Sequence, residues 1–398
     1  MTALAQFAEH PREVGLDPVK VDELFRRVQR EVAEGLLPSC QLAIARNGKI
    51  GAMKTFGHAI QGGTDQPATN RTLYCVFSCT KAIVSSAIWI LLGEKRLELS
   101  ERAAEIVPEF GTNGKDQITV EHLLLHTGGF PNAPYAQSEW LDRNKRLERF
   151  KAWRLEFPVG ERFVYHPTSS FWVLAEIIER RSGQDFRLFV RDRIALPLGI
   201  PELRLGIPRS EHGRMADIVH VGEALTPEEL RNLGLPAMPE TEVTETALNG
   251  FNDPIVRESG VPGGGGIMTA GDLALFYQAL LHNPPVAAKG APIWQPEVLR
   301  EALRVRSGDY FDPVFKYKCN RALGVVVAGD DGFANFRGFG RTNSPSTFGH
   351  NGAGGQLGWA DPATGISLGY CTNGIDRNNL RQGRRGVAIS SLAAVCAL

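Results

Sequence analysis

Ser78-Cys79-Thr80-Lys81-Ala82-Ile83-Val84-Ser85-Ser86-Ala87-Ile88-Trp89-Ile90-Leu91-Leu92 is a short polar head followed by an apolar run. The head is the only Ser-x-x-Lys in the chain. Helix positions i and i+3 share a face, so Lys81 stands beside Ser78 without help from the tertiary fold. A neutral serine attacks poorly at pH 7, and an enzyme that uses one supplies a nearby base and donors for the developing oxyanion. The pairing alone is common in soluble helices, so its meaning depends on other segments. Cys79 points roughly 100° away around the helix and reads as a packed small side chain.

The 398 residues exceed the size at which a single core stops growing, about 250 to 300 residues, so two lobes or one interrupted domain are expected. Forty-four basic and 44 acidic side chains cancel, and no block of like charge follows a phosphate backbone or an anionic bilayer. These features exclude nucleic acid and membrane as expected partners. Residues 1–12 lack a basic and apolar leader, and the longest apolar stretch, residues 82–92, is interrupted by Ser85 and Ser86. A soluble, unexported protein of the cytoplasm is predicted. Cys40, Cys75, Cys79, Cys319, Cys371 and Cys396 are scattered without a Cys-x-x-Cys pair, as free thiols in a reducing compartment would be. His122 and His126 have zinc-protease spacing, but Leu123 stands where that motif needs its glutamate, so no metal is expected.

Asp17-Pro18 caps a helix carried by Val21, Leu24, Phe25, Val28 and Val32 up to Gly35. Asn47-Gly48 suits a type I′ turn between strands at 41–46 and 49–55. A second hairpin is predicted from residues 357–361 and 366–372 around Pro362-Ala363-Thr364-Gly365, with a final helix from about Arg385. Between these strand-rich ends, residues 81–94, 120–125, 171–181 and 186–195 read as helices. One sheet built from both chain ends, with a helical lobe inserted between them, accounts for the pattern. Residues 222–262 are rich in Pro, Glu and Thr and read as a lid-like excursion over a cleft.

Three further segments bear on Ser78: Leu124-Leu125-His126-Thr127-Gly128-Gly129, Phe163-Val164-Tyr165-His166-Pro167, and Phe348-Gly349-His350-Asn351-Gly352-Ala353-Gly354-Gly355. Each has an ordinary explanation alone, as a helix entrance, a satisfied strand histidine or a turn. In this order and spacing, with Ser78-x-x-Lys81, they resemble the serine β-lactamase and penicillin-binding protein superfamily. The closest likeness is to the branch of class C β-lactamases and the related family VIII carboxylesterases, which the Gly263-Gly264-Gly265-Gly266 run before Met268 also resembles. The resemblance spans residues 19–373.

It implies an α+β, β-lactamase/transpeptidase-like fold, with an antiparallel sheet from the N- and C-terminal segments flanked by helices. The implied division is an α/β domain of 1–60 and 265–398 and an inserted, mainly helical domain of 61–264. Ser78 would form an acyl-enzyme, Lys81 would help deprotonate it, and Tyr165 would shuttle protons to the leaving group and from water. The backbone N–H groups of Ser78 and Ala353 would form the oxyanion hole. His350, Asn351 and Gly352 would line the substrate, with His350 where β-lactamases carry the lysine of Lys-Thr-Gly. Pro167 replaces the usual asparagine and offers no side-chain donor, so the clamp on a β-lactam side chain is missing. His166, between two cleft-facing positions, is expected to face elsewhere. These departures favour a serine hydrolase acting on a small-molecule carboxylic ester, without a cofactor. β-Lactamase, D-amino-acid peptidase or amidase, and acyltransferase chemistry use the same residues and stay open. A non-catalytic acyl-binding scaffold is the alternative of another class.

Overall fold

The computed structural model describes residues 6–234, 243–284 and 292–398. Its first helix, α1 (Pro18–Ala33), begins as the sequence predicts: the Asp17 side chain accepts the Val19 N–H, and Pro18 takes the first helical position, where no donor is needed. Strands β1 (Ser39–Arg46) and β2 (Lys49–Gln61) are joined through Asn47 and Gly48 at φ of +53° and +76°, the left-handed pair a type I′ turn requires. A short β3 (Thr64–Pro67) extends the hairpin.

Four strands from the far end of the chain complete the sheet: β4 (Val326–Val327), β5 (Phe348–Gly352), β6 (Gln356–Asp361) and β7 (Ile366–Thr372). The order is β3-β2-β1-β7-β6-β5-β4, antiparallel throughout, with Leu42 of β1 opposite Tyr370 of β7. The two chain ends therefore meet in the centre of one sheet, and β7 is buried along its whole length. On one face, Leu24, Phe25 and Val28 of α1 and Ile389 of the last helix pack with Leu42, Trp359 and Tyr370. On the other, Leu273, Ala274 and Tyr277 of the helix Ala270–His282 lie in the larger core with Ala43 and Ala45.

The last helix runs over Asn379–Ala394, not from about Arg385. Its first turns are polar, with Arg381 paired to Asp376, and hide the start from a hydrophobic pattern; the Asn378 side chain caps it by accepting the Arg381 N–H. The helices predicted at 81–94, 120–125, 171–181 and 186–195 lie where the sequence puts them. α2 (Thr80–Gly93) is buried from Thr80 to Leu91, as a helix apolar on all sides must be, and the segment Val120–Leu125 and the helix Ser169–Ser182 share its core. Helix Phe186–Val190 runs into a π-helical turn, Arg191–Ala195. A ribbon of Tyr74–Cys75, Gly266–Met268 and Arg204–Leu205 holds the residues just before α2 against the glycine-rich run.

Residues 235–242 of the expected excursion at 222–262 lie outside the described residues. The remainder carries short helices, Pro227–Asn232, Glu245–Asn249 and Pro254–Ser259. All six cysteines are buried and free. No helix among the described residues is long and apolar enough to cross a membrane.

Candidate active site

Ser78 is presented by a strained turn between the short strand Tyr74–Cys75 and α2. Phe77, the residue before it, has φ of +43°, a left-handed conformation that costs a residue with a side chain roughly 1–2 kcal/mol. Packing holds it there: the Phe77 ring meets Phe251 edge-on at 5.2 Å, and the Thr80 hydroxyl donates to the Phe77 carbonyl while accepting the Gly266 N–H at 2.8 Å. Cys79 turns away from the cleft, and its Sγ donates to the His350 carbonyl at 3.0 Å.

Lys81 is fully buried, one helical turn beyond Ser78. Its Nζ lies 3.3 Å from Ser78 Oγ and 2.7 Å from each of the carbonyl oxygens of Pro167 and Gly263. Burial, with the Arg321 guanidinium adding like-charge repulsion, holds the amine well below the ordinary lysine range. The neutral amine has two N–H donors and one lone pair. With the donors on the two carbonyls, which only accept, the lone pair faces Ser78. A Cβ at position 263 would stand 2.7 Å from the Pro167 oxygen, so only glycine allows this pair of carbonyls to converge on Lys81.

The Tyr165 hydroxyl donates to Ser78 Oγ at 2.8 Å, and loss of solvent around the ring pushes its pKa up to about 12. Lys81 Nζ sits 4.9 Å from the centre of the same ring. Ser78, Lys81 and Tyr165 thus converge from the head of α2 and from the loop before Ser169–Ser182.

His350 lies behind Tyr165, their rings 6.1 Å apart. Its Nδ1 is 2.7 Å from the Asn351 carbonyl, which can only accept, so that nitrogen carries the proton. Nε2 then accepts from Arg321 Nη1 at 3.3 Å. Burial and the neighbouring Arg321 push the imidazole well below its ordinary range, so it is the neutral form that occupies the strand. The cation at this end of the cleft is Arg321, whose guanidinium lies 5.3 Å from the Phe163 ring and 5.4 Å from the Tyr165 ring. The sequence carries no signal for it, since Arg321 falls in an unpatterned stretch far from every motif.

Gly352 presses the end of β5 against the turn carrying Ser78, where a Cβ would collide with the Val76 carbonyl. Ala353 follows it and, with Ser78, lines a cavity of about 350 Å³ walled by Phe77, Tyr135, Trp140, Leu248, Phe251 and Pro167. The Asn351 side chain lies instead against Gly338, in a second, smaller cavity shared with Arg321 and His350. His166 is buried away from Ser78: Nδ1 faces the Val164 carbonyl at 2.6 Å, and Nε2 accepts the Phe130 N–H at 3.2 Å. Burial lowers it to about 4, and it ties the Phe130 loop to the tyrosine segment as a neutral ring. His122 caps its own helix with Thr119.

The profile of the family described as Beta-lactamase matches residues 24–392, and the chain belongs to that family. Esterase/beta-lactamase LipL of Mycobacterium tuberculosis is 25% identical over 312 residues, 75% of this chain and 68% of that protein. A penicillin-binding protein homolog from Caulobacter crescentus superposes with a TM-score of 0.73 at 26% identity, over 95% of this chain and 99% of the other. A family VIII carboxylesterase superposes with a TM-score of 0.75 at 22% identity, over 95% and 98% of the two chains. The superfamily is one of serine hydrolases, with esterases among its members.

Proposed function

We propose that this protein hydrolyses carboxylic esters through an acyl-enzyme on Ser78. The observation that carries this reading is the convergence on one Oγ of a tyrosine hydroxyl at 2.8 Å and a buried lysine amine at 3.3 Å. In acylation the Ser78 proton passes to the Lys81 lone pair, Oγ attacks the ester carbonyl, and the alkoxide leaves with the Tyr165 proton. In deacylation the Tyr165 phenolate takes a proton from water as its oxygen attacks, and Ser78 departs with the proton held by Lys81. The oxyanion is assigned to the N–H groups of Ser78 and Ala353, whose residues border the same cavity. Such an arrangement, held by a strained backbone at Phe77, favours turnover over a passive acyl-binding scaffold.

Esters are favoured over lactams and amides by two positions. Pro167 has only its carbonyl to offer, and Lys81 takes it. His350 has both ring nitrogens engaged within the chain. A missing donor to a substrate amide costs on the order of 1–3 kcal/mol per contact, and an amine leaves less readily than an alcohol. On one purified sample, kcat/KM for nitrophenyl butyrate should exceed that for a chromogenic cephalosporin; the reverse order would make β-lactam hydrolysis the better reading. Tyr165→Phe keeps the ring and its packing but removes the proton carrier. It is expected to lower turnover of an alkyl ester by at least about a hundredfold, measured as kcat by acid release.

A further inference from the structure

Two loops, one before β4 and one between β4 and β5, leave large aromatic side chains in water next to the cleft. Phe315, Phe333 and Phe336 are 36%, 41% and 50% exposed, more than isolated core residues at a surface need be. They form one continuous surface with Tyr317. Phe315 lies 5.8 Å from Phe336, Phe333 lies 5.9 Å from Phe336, and Tyr317 stacks on Phe333 at 5.9 Å. The shelf is rigid. Buried Arg337 donates to the carbonyls of Lys318 and Ala328 at 2.7 Å and pairs with Asp331, while its guanidinium covers the Tyr317 ring at 5.3 Å. The Tyr317 hydroxyl donates to the Phe336 carbonyl at 3.2 Å, tying one loop to the other.

The shelf approaches the site from the side of Arg321 and His350. Tyr317 and Phe336 line a cavity of about 160 Å³ whose inner wall is Phe163, Arg321, His350 and Asn351. That wall backs Tyr165, which Arg321 and His350 both touch, whereas the larger cavity opens on the other side of Ser78 past Pro167 and Phe251. Tyr165 delivers the proton to the departing oxygen, so the leaving group belongs on the Arg321 side and the acyl chain in the larger cavity. We propose that the shelf is the leaving-group subsite and that it selects esters of aromatic alcohols, whose ring lies against Phe336 and Tyr317. An aryl oxygen carries the charge that develops as the bond breaks more readily than an alkyl one, and it leaves as the alcohol with the Tyr165 proton. Arg321, which shares the cavity with the Asp312 carboxylate and contacts His350 and the Tyr165 ring, stands beside its path.

The assignment rests on the ester reading for the word leaving group, so the test is made to stand without turnover. In the full chain carrying Ser78→Ala, 2-naphthol is titrated calorimetrically against cyclohexanol. Saturable binding of 2-naphthol is expected, tighter than that of cyclohexanol, and Phe336→Ala in the same background should weaken it about tenfold, the scale of one stacked ring pair. Phe336→Leu, which keeps an apolar side chain without the ring, should lie between the two. Equal affinity in Phe336→Ala, or preference for cyclohexanol, would overturn the assignment. So would phosphatidylcholine vesicles sedimenting with the parent and not with Phe336→Ala, because the shelf would then serve a lipid surface. Failure of the wild-type chain to cleave any ester would count against the proposed function alone, leaving the naphthol titration to judge the shelf.

Discussion

Ser78→Ala is expected to lower kcat on nitrophenyl butyrate by at least about 10⁴-fold, the scale seen when a nucleophile is removed and only binding and the oxyanion donors remain. The substitution deletes the one atom that Tyr165 and Lys81 both address, at 2.8 and 3.3 Å. It removes little else, since Ser78 makes no other side-chain hydrogen bond shown among the described residues, and the Thr80 and Cys79 contacts that shape the turn remain. A change in folding is therefore not expected, and an unchanged Tm would show it. Intact-mass analysis after treatment with a fluorophosphonate should give one adduct on the wild-type chain, mapped to the Ser78 peptide, and none on the variant. Retained activity in Ser78→Ala, with an adduct elsewhere, would move the nucleophile. An unlabelled wild-type chain would favour the acyl-binding scaffold.

The parts of this molecule legible in the sequence are those set by local rules. Asp17-Pro18 and Asn47-Gly48 dictate a helix start and a turn through the φ angles and donors of two residues each, and the structure has both. The α2 head likewise puts Lys81 beside Ser78 by helical period alone. The alignment of β1 with β7 was open to inference because strand-rich segments at the two ends need partners. Arg321 was not legible. Its contact with His350 spans an irregular stretch, and nothing local distinguishes it from the many arginines that end in surface ion pairs. Asn351 is placed with the substrate-lining residues by the resemblance alone; what the sequence does not show is that its side chain lies against Gly338, in the smaller cavity with His350 and Arg321. The exposed rings at Phe333 and Phe336 are apolar letters in the sequence, indistinguishable there from core.

Lys81→Ala should cost about 10²–10⁴-fold in kcat, and Lys81→Arg should not restore it, because a guanidinium has no lone pair to receive the serine proton. Alanine also leaves the Pro167 and Gly263 carbonyls without their donor, which costs about 1–3 kcal/mol for each buried group and should lower Tm as well. The pH profile separates the chemical role from this structural one. Below the folded pKa of Lys81 the ammonium turns its third N–H toward Ser78, and no acceptor for the serine proton is present. Above it the lone pair is free. Acylation should therefore rise tenfold per pH unit on the acidic side and level off at a pH below the ordinary lysine value of 10.5, since burial and Arg321 both favour the neutral amine. Arg321→Gln removes one of those two causes, so the Lys81 pKa should rise and the acidic limb of kcat/KM should move to higher pH. Movement to lower pH, or a limb that stays in place while the plateau alone falls, would mean that Arg321 does not govern Lys81 and that another group sets the profile.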